Sequence, residues 1–226
     1  MSNDAVAQSF APPVDYPPGG LDPGGASLAD FNKDGHLDVL NAAFRANRVS
    51  LLVGTGSGAL QAPTKISVGS GPVSTAVADF NHDGNMDFVV AIAYGRAIQV
   101  ALGKGDGTFQ TPVLYPAGSA PAGLAVGDFN NDGNADVAVA DASGGSGTKT
   151  VQILYGKSDG TLAPAIGYDT GATDSFRIAA ADFNGDSFLD LVVTEQQTNT
   201  VRFLVGQSNG AFVVSPKKYS VPATAG

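Results

Sequence analysis

Four nonapeptides of nearly the same sequence recur along this chain of 226 residues. Each follows the pattern Asp-Phe-Asn-x-Asp-x-x-x-Asp, and they begin 49, 49 and 54 residues apart, at Asp30, Asp79, Asp128 and Asp182. Sequence repeats of about 20 to 50 residues indicate a solenoid or a propeller, in which each repeat forms one supersecondary unit. The spacing therefore limits the fold to an array of about four similar units.

Four short apolar runs accompany each nonapeptide. Small residues precede it, two runs rich in Val, Ile and Leu follow it, and a fourth run comes after a glycine-rich turn such as 103–107. Such runs between Gly, Asn, Asp and Pro are typical of β-strands, and the glycine-rich turns favour hairpins. Proline in the fourth run, as at Pro63 and Pro112, cannot donate to a ladder, so that strand is predicted at an edge. The pattern predicts an all-β fold, a β-propeller of four-stranded antiparallel blades.

The repeats divide one domain, 1–226, into four blades and a surplus segment. Ser9 to Tyr16 resembles the fourth run, so an extra outer strand is predicted at about 8–19. Four blades with a surplus strand fit either a closed four-blade ring or half of a larger propeller, and an unpaired end strand can pair with another chain. Self-association through the open end strands is therefore one expectation. The blades are predicted at about residues 25–71, 72–120, 121–172 and 173–222.

Composition excludes several other classes of protein. With 30 Gly and 13 Pro, a helical bundle is excluded, and a net charge of −9 argues against nucleic acid as a partner. Absent cysteine excludes disulfides and thiolate sites. No apolar run is long enough for membrane insertion, and the chain begins without a signal-peptide pattern.

The nonapeptide concentrates oxygen donors at positions 1, 3, 5 and 9. Calcium takes about six to eight oxygen ligands from carboxylates, amides and carbonyls. Glycine at position 6 permits the sharp turn that would bring positions 1, 3 and 5 together. The first half matches an EF-hand loop, but position 12 lacks the required Glu and the flanks are strands. The nonapeptide is thus interpreted as a calcium loop between two strands.

The repeat unit resembles the FG-GAP or VCBS-type repeat of integrin-alpha-like β-propellers, over about residues 8–222. The resemblance implies up to four Ca²⁺ ions, one per blade, held by side chains at positions 1, 3, 5 and 9 and by the carbonyl of position 7. Position 3 is Asn where integrin-type loops often carry Asp. Ser187 replaces the position-6 glycine in the fourth loop, which predicts strain there. The implied ligands are Asp30, Asn32, Asp34, His36, Asp38, Asp79, Asn81, Asp83, Asn85, Asp87, Asp128, Asn130, Asp132, Asn134, Asp136, Asp182, Asn184, Asp186, Phe188 and Asp190.

Catalytic residues are not expected. The two histidines, His36 and His82, lie in calcium loops, and Glu195 is the only glutamate. No phosphate-binding loop has the required spacing. The chain is predicted not to be an enzyme.

Two further sets of residues bear on ligand binding. Aromatic residues recur in the outer strand and favour either packing between blades or a sugar-stacking platform. The end of the blades opposite the loops is predicted to carry a mixed basic and aromatic surface, with scattered solvated charges as the alternative. The outer-strand residues are Tyr16, Ile66, Tyr115, Tyr168 and Tyr219. The opposite surface comprises Arg45, Arg48, Tyr94, Arg96, Lys149, Arg177 and the loop 141–148.

These features and the resemblance predict a calcium-binding propeller that acts outside the cell or at its surface in interaction, adhesion or assembly. The expected partner is a protein, a glycan or a second copy. One alternative is a calcium-containing lectin of the integrin-like propeller type. Another is a non-catalytic accessory domain of a larger secreted enzyme.

Overall fold

The computed structural model describes residues 15–17, 22–143, 149–172 and 174–220, which contain sixteen β-strands. The first sheet contains β1 (Pro23–Ala29), β2 (Asp38–Ala43), β3 (Arg48–Leu52) and β4 (Thr64–Ser67). The second contains β5 (Pro72–Ala78), β6 (Asp87–Ile92), β7 (Ala97–Ala101) and β8 (Val113–Pro116). The third contains β9 (Pro121–Gly127), β10 (Asp136–Asp141), β11 (Val151–Leu154) and β12 (Ile166–Tyr168). The fourth contains β13 (Arg177–Ala181), β14 (Asp190–Glu195), β15 (Thr200–Gly206) and β16 (Phe212–Ser220).

The four sheets have the strand arrangement that was predicted for the blades. Each is antiparallel and orders its four strands as they follow in the chain, so the fourth strand of every blade is an edge strand. The helical content of the described residues is two 3-10 turns, Phe44–Ala46 and Ala93–Gly95. No described helix is both long and apolar enough to cross a membrane. The prediction of an all-β fold of four-stranded antiparallel blades is confirmed.

The first strands of successive blades lie side by side, β1 against β5, β5 against β9 and β9 against β13. Small residues make this close approach possible. A Cβ at Gly24 would come within 2.6 Å of the Val73 carbonyl oxygen, and one at Gly123 within 2.7 Å of the Phe176 carbonyl oxygen. The glycines in these runs therefore set the spacing between blades.

The hydrophobic core is divided into three clusters, one between each pair of neighbouring blades. Alternate residues of a strand point to opposite faces, so the middle strands of the second and third blades each contribute to two clusters. Every residue of β6 and β10 is buried, because these strands have a blade on both sides. In β15 buried and half-buried residues alternate, as expected of a strand that is covered on one face.

Two details differ from the expectations. The fourth strands of the first two blades begin only after Pro63 and Pro112, because proline cannot donate a hydrogen bond to the ladder. The residues before these prolines make an isolated bridge instead. Residues 15–17 of the predicted extra strand 8–19 are not in a strand, and the remainder of that segment lies outside the described residues. β13 and β1 are the first strands of the last and the first blade. Within the described part of the chain, the contact between them is less extensive than the contacts between the first strands of successive blades.

Candidate functional site

Each nonapeptide joins the first and second strands of its blade. In the first blade it starts one residue after β1 ends at Ala29, and its ninth residue, Asp38, opens β2. The same arrangement recurs where β6, β10 and β14 begin with Asp87, Asp136 and Asp190. All four loops therefore lie at the same end of their blades, close to the glycine-rich hairpins that join the third and fourth strands.

The side chains at positions 1, 3 and 5 turn inward onto the loop backbone. In the first loop, Asp30 Oδ1 and Asn32 Oδ1 accept hydrogen bonds from the Asp34 amide, at 3.2 and 3.0 Å. Asp30 Oδ2 accepts from the Gly35 amide at 2.8 Å, and Asp34 Oδ1 accepts from the His36 amide at 2.9 Å. The second and third loops repeat these bonds. The structure thus brings together three of the predicted side-chain ligands in each loop.

The asparagine at position 3 also donates to the carboxylate at position 5. Asn32 Nδ2 lies 2.9 Å from Asp34 Oδ2, and the other three loops make the same contact. This bond, followed by the one from the His36 amide, holds the pKa of Asp34 below its usual range. The Asp34 carboxylate therefore stays ionised at neutral pH.

The aspartate at position 9 occupies a different environment. Asp38 is buried, and its two oxygen atoms accept hydrogen bonds from the amides of Phe31, at 2.9 Å, and Gly54, at 2.8 Å. The corresponding aspartates of the other blades make the same pair of bonds. Position 9 thus joins the start of the loop to the hairpin of the same blade, a role that the spacing alone did not predict.

Burial changes the acidity of this aspartate in the two central blades. It raises the pKa of Asp87 to about 6, and the charges of Asp83 and Asp79 add to the effect. It likewise raises the pKa of Asp136 to about 6. Crowded carboxylates without a cation oppose ionisation of the most buried member.

The donor chemistry of the loops suits a hard cation, since all the candidate donors are oxygen atoms. Among the described residues, no three acidic, imidazole or thiol side chains converge closely enough to hold a metal ion. The reason is that positions 1, 3 and 5 gather at the surface, whereas the position-9 carboxylate points to buried amides. The complete ligand set, including the carbonyl of position 7, stays a prediction.

The loop backbone depends on positive φ at two positions. Position 6 has φ of 84° at Gly35 and 72° at Ser187, where the side chain makes the left-handed conformation unfavourable. Position 4 also has positive φ, 60° at Lys33 and 58° at His82. In the fourth loop this position is Gly185. The sequence pattern indicated the first requirement but not the second.

The recurring aromatic residues take structural positions. Phe31, Phe80 and Phe129, at position 2 of the first three loops, are buried between blades. Tyr115 and Tyr168 pack against the inter-blade clusters. Packing between blades therefore accounts for these two tyrosines, whereas Tyr219 in the last strand is 45% exposed.

The opposite end of the blades contains a cavity of about 310 Å³. Residues at or next to the start of the first strand of every blade line it, among them Pro23, Val73, Pro121 and Arg177. Of the predicted basic and aromatic surface, Arg177 reaches this cavity, and most of the loop 141–148 lies outside the described residues. The sequence analysis did not single out these residues. The start of the first strand recurs once per blade, so the repeat itself would have indicated that these positions lie together.

A buried ion pair in the fourth blade was not predicted. Glu195 and Arg202 are both buried, and Arg202 Nε lies 3.0 Å from Glu195 Oε1. Thr200 donates to Glu195 Oε2 at 2.6 Å, and Lys218 Nζ lies 3.6 Å from the same atom. Each charge has a partner, so the group is a structural element of the blade.

Comparison with known families identifies the repeats. An FG-GAP-like repeat matches residues 30–90 and again 89–139, and an FG-GAP repeat matches residues 176–214. The chain belongs to the FG-GAP repeat family. These FG-GAP matches include all four nonapeptides, so each loop described above lies within a matched repeat.

Solved structures extend the comparison of the FG-GAP chain to its fold. One is a protein from Bacteroides uniformis provisionally named 6-phosphogluconolactonase, with a TM-score of 0.61 and 12% sequence identity. The match covers 86% of this chain and 54% of that chain, so the FG-GAP chain spans about half the length of that protein. At this identity the likeness concerns the fold alone. None of the curated protein sequences matches.

Proposed function

We propose that this FG-GAP chain is a calcium-binding β-propeller module for recognition, adhesion or assembly outside the cell or at its surface, and that it is not an enzyme. The observation that carries the proposal is the recurrence, at one place in every blade, of a loop whose clustered oxygen donors form no ion pair with a described cationic side chain. The ion pairs of the described residues join Arg45 to Asp22 and Arg202 and Lys218 to Glu195, and none includes a loop aspartate.

In this proposal one Ca²⁺ ion binds each loop through the oxygen atoms at positions 1, 3, 5 and 9 and the carbonyl of position 7. The ion supplies positive charge that offsets the repulsion among the three carboxylates. Because the folded loop binds it and the unfolded chain does not, binding stabilises the blade by mass action, by about 2.7 kcal/mol at a hundredfold excess over Kd. Calcium thus serves structure rather than chemistry.

Two observations support a binding role over catalysis. Both histidines belong to metal loops, and the buried carboxylates at position 9 are engaged by two backbone amides each. The recurring outer-strand tyrosines were compatible with the lectin alternative, but Tyr115 and Tyr168 are engaged in blade packing and only Tyr219 of the described copies in β-strands is largely exposed. A protein partner or a second copy is therefore the partner that we favour.

Metal binding can be tested by counting ions and by melting. Dialysis of the wild-type chain against ⁴⁵Ca²⁺ should give about four ions per chain, and the melting temperature should rise with calcium relative to EDTA. Asp34→Asn should remove one ion. The matched control is Asp106→Asn, an equally exposed aspartate in a hairpin, which should keep all of them. A melting temperature and an ion count that calcium leaves unchanged would refute the proposal.

The interaction role needs a separate measurement. Screening the calcium-loaded chain against a glycan array and against immobilised copies of itself distinguishes the two kinds of partner. Specific binding to a sugar on the array would overturn the preference for protein partners.

A further inference from the structure

The fourth blade exposes a side chain that is buried in every other blade. Phe31, Phe80 and Phe129, at position 2 of the first three loops, are 2%, 1% and 1% exposed, because the next blade covers them. Phe183, at the same position in the fourth loop, is 49% exposed. It forms an edge-to-face pair with Phe203, which in turn contacts Tyr219. One face of the fourth blade therefore presents an uncovered aromatic row.

The first blade exposes the apolar residues that, in the later blades, pack against the phenylalanine of the preceding blade. Between neighbouring blades, Val77 and Met86 of the second blade pack into the cluster that contains Phe31. Their counterparts in the first blade are Leu28 and Leu37, which are 58% and 64% exposed. Both residues are large and apolar, as required on the side of a blade that receives the preceding phenylalanine.

The glycine-rich hairpins likewise contact the preceding blade, except in the first blade. A Cβ at Gly160 would lie 3.1 Å from the Asn81 Cβ, and one at Gly210 would lie 2.6 Å from the Asn130 Cβ. The hairpin of each later blade thus rests on position 3 of the preceding loop. The equivalent Gly58 of the first blade has no atom within 4 Å of its Cβ position.

We propose that the aromatic face of the fourth blade docks on the first blade of a second copy of this chain, and reciprocally, so that two chains close one eight-blade propeller. The contact repeats, between chains, the packing that occurs three times within the chain. Propellers have about four to eight blades, so two copies reach a known ring size. A head-to-tail contact forms a ring when its rotation closes.

This docking concerns faces of blades, not the edges of sheets. It gives the assembly role proposed above a specific partner, but it depends on apolar packing and not on the calcium ligands. Failure of calcium binding and failure of this assembly are therefore separate results, measured by ion count and by particle mass.

The test measures particle mass in calcium by sedimentation velocity and native mass spectrometry, with circular dichroism to verify folding. We expect the wild type to have the mass of two chains. Phe183→Asp and Leu37→Lys should each weaken the pair by at least about 30-fold, the factor for loss of a contact worth about 2 kcal/mol. Leu114→Asp, at an equally exposed site in the outer edge strand β8, is the control and should leave the mass unchanged.

Mixing the two variants distinguishes the possible arrangements. In a mixed pair one interface is wild type and the other carries opposite charges, so mixing Phe183→Asp with Leu37→Lys should restore pairing. A wild type that stays a single chain at high concentration, or that forms open filaments, would overturn the proposal. So would weakening by Phe183→Asp alone, which indicates like-to-like docking, or by Leu114→Asp, which indicates edge pairing.

Discussion

The Asp136 carboxylate accepts hydrogen bonds from the amide of Gly156, at 2.7 Å, and from the amide of Phe129, at 2.8 Å. The hairpin of the third blade and the start of its loop are thereby joined through one buried side chain. A residue that sequence reasoning assigned to a metal ion also has this structural role.

Removal of this carboxylate should destabilise the protein even without metal. In EDTA, Asp136→Ala leaves two buried amides unpaired, each of which costs about 1–3 kcal/mol. We expect the free energy of unfolding, measured by urea denaturation, to fall by roughly 2–5 kcal/mol. The control is Asp132→Ala in the same loop, whose exposed side chain should matter by less than about 1 kcal/mol. Equal losses for the two variants would show that position 9 has no special role in the fold.

The metal-free protein should become more stable on mild acidification. The pKa values of Asp87 and Asp136, raised to about 6 by burial, lie above the ordinary carboxyl value near 4. Between these values the folded state retains protons that the unfolded chain has released, so lowering the pH favours the folded state. The melting temperature in EDTA should therefore rise from pH 7 to about pH 5.

Two controls accompany this pH dependence. The double variant Asp87→Asn with Asp136→Asn should lose most of it. Exposed aspartates with a lowered pKa, such as Asp34, act with the opposite sign but below about pH 4, outside this window. A melting temperature in EDTA that decreases steadily from pH 7 to pH 5 would contradict the prediction.

The fourth loop should be stabilised by glycine at position 6. Ser187 has φ of 72°, whereas Gly133 has 88° at the same position. A non-glycine residue in the left-handed region costs about 1–2 kcal/mol, so Ser187→Gly should raise the free energy of unfolding by about 1 kcal/mol. Ser158→Gly, in a hairpin and without positive φ, should give no gain. Thermal denaturation of both variants in EDTA measures the difference, and a loss on Ser187→Gly would be inconsistent with strain.

The contact between a hairpin and the preceding loop can be measured with two glycines of nearly equal φ. Gly210 has φ of 80° and Gly58 of 83°, so alanine strains both backbones alike. Only at Gly210 does the new Cβ meet another blade, 2.6 Å from Asn130. At concentrations where the chain is monomeric, Gly210→Ala should reduce stability by about 1–3 kcal/mol more than Gly58→Ala. Equal effects would argue against this contact.

Local patterns were sufficient to predict strands, hairpins and loops. The Asp-x-Asn-x-Asp run folds back through bonds between residues two to five positions apart, as at Asp30 and Gly35, so its shape is encoded in neighbouring residues. The position of proline in the edge strands could be predicted because proline lacks the amide hydrogen that a ladder requires, whatever its surroundings. For the same reason, glycine at position 6 and its absence at Ser187 could be interpreted from the sequence.

The packing of one blade on the next decided the rest. Phe129 and Phe183 occupy identical places in their repeats, yet one is buried and the other exposed, because only the first has a following blade. The position-9 aspartate appeared equivalent to its loop neighbours, but the hairpin amide that it accepts from lies 16 residues or more away. Contacts between segments that are distant in sequence leave no local pattern. Only the tertiary structure therefore showed that Phe183 differs from Phe129, and that the position-9 aspartates differ from the other residues of their loops.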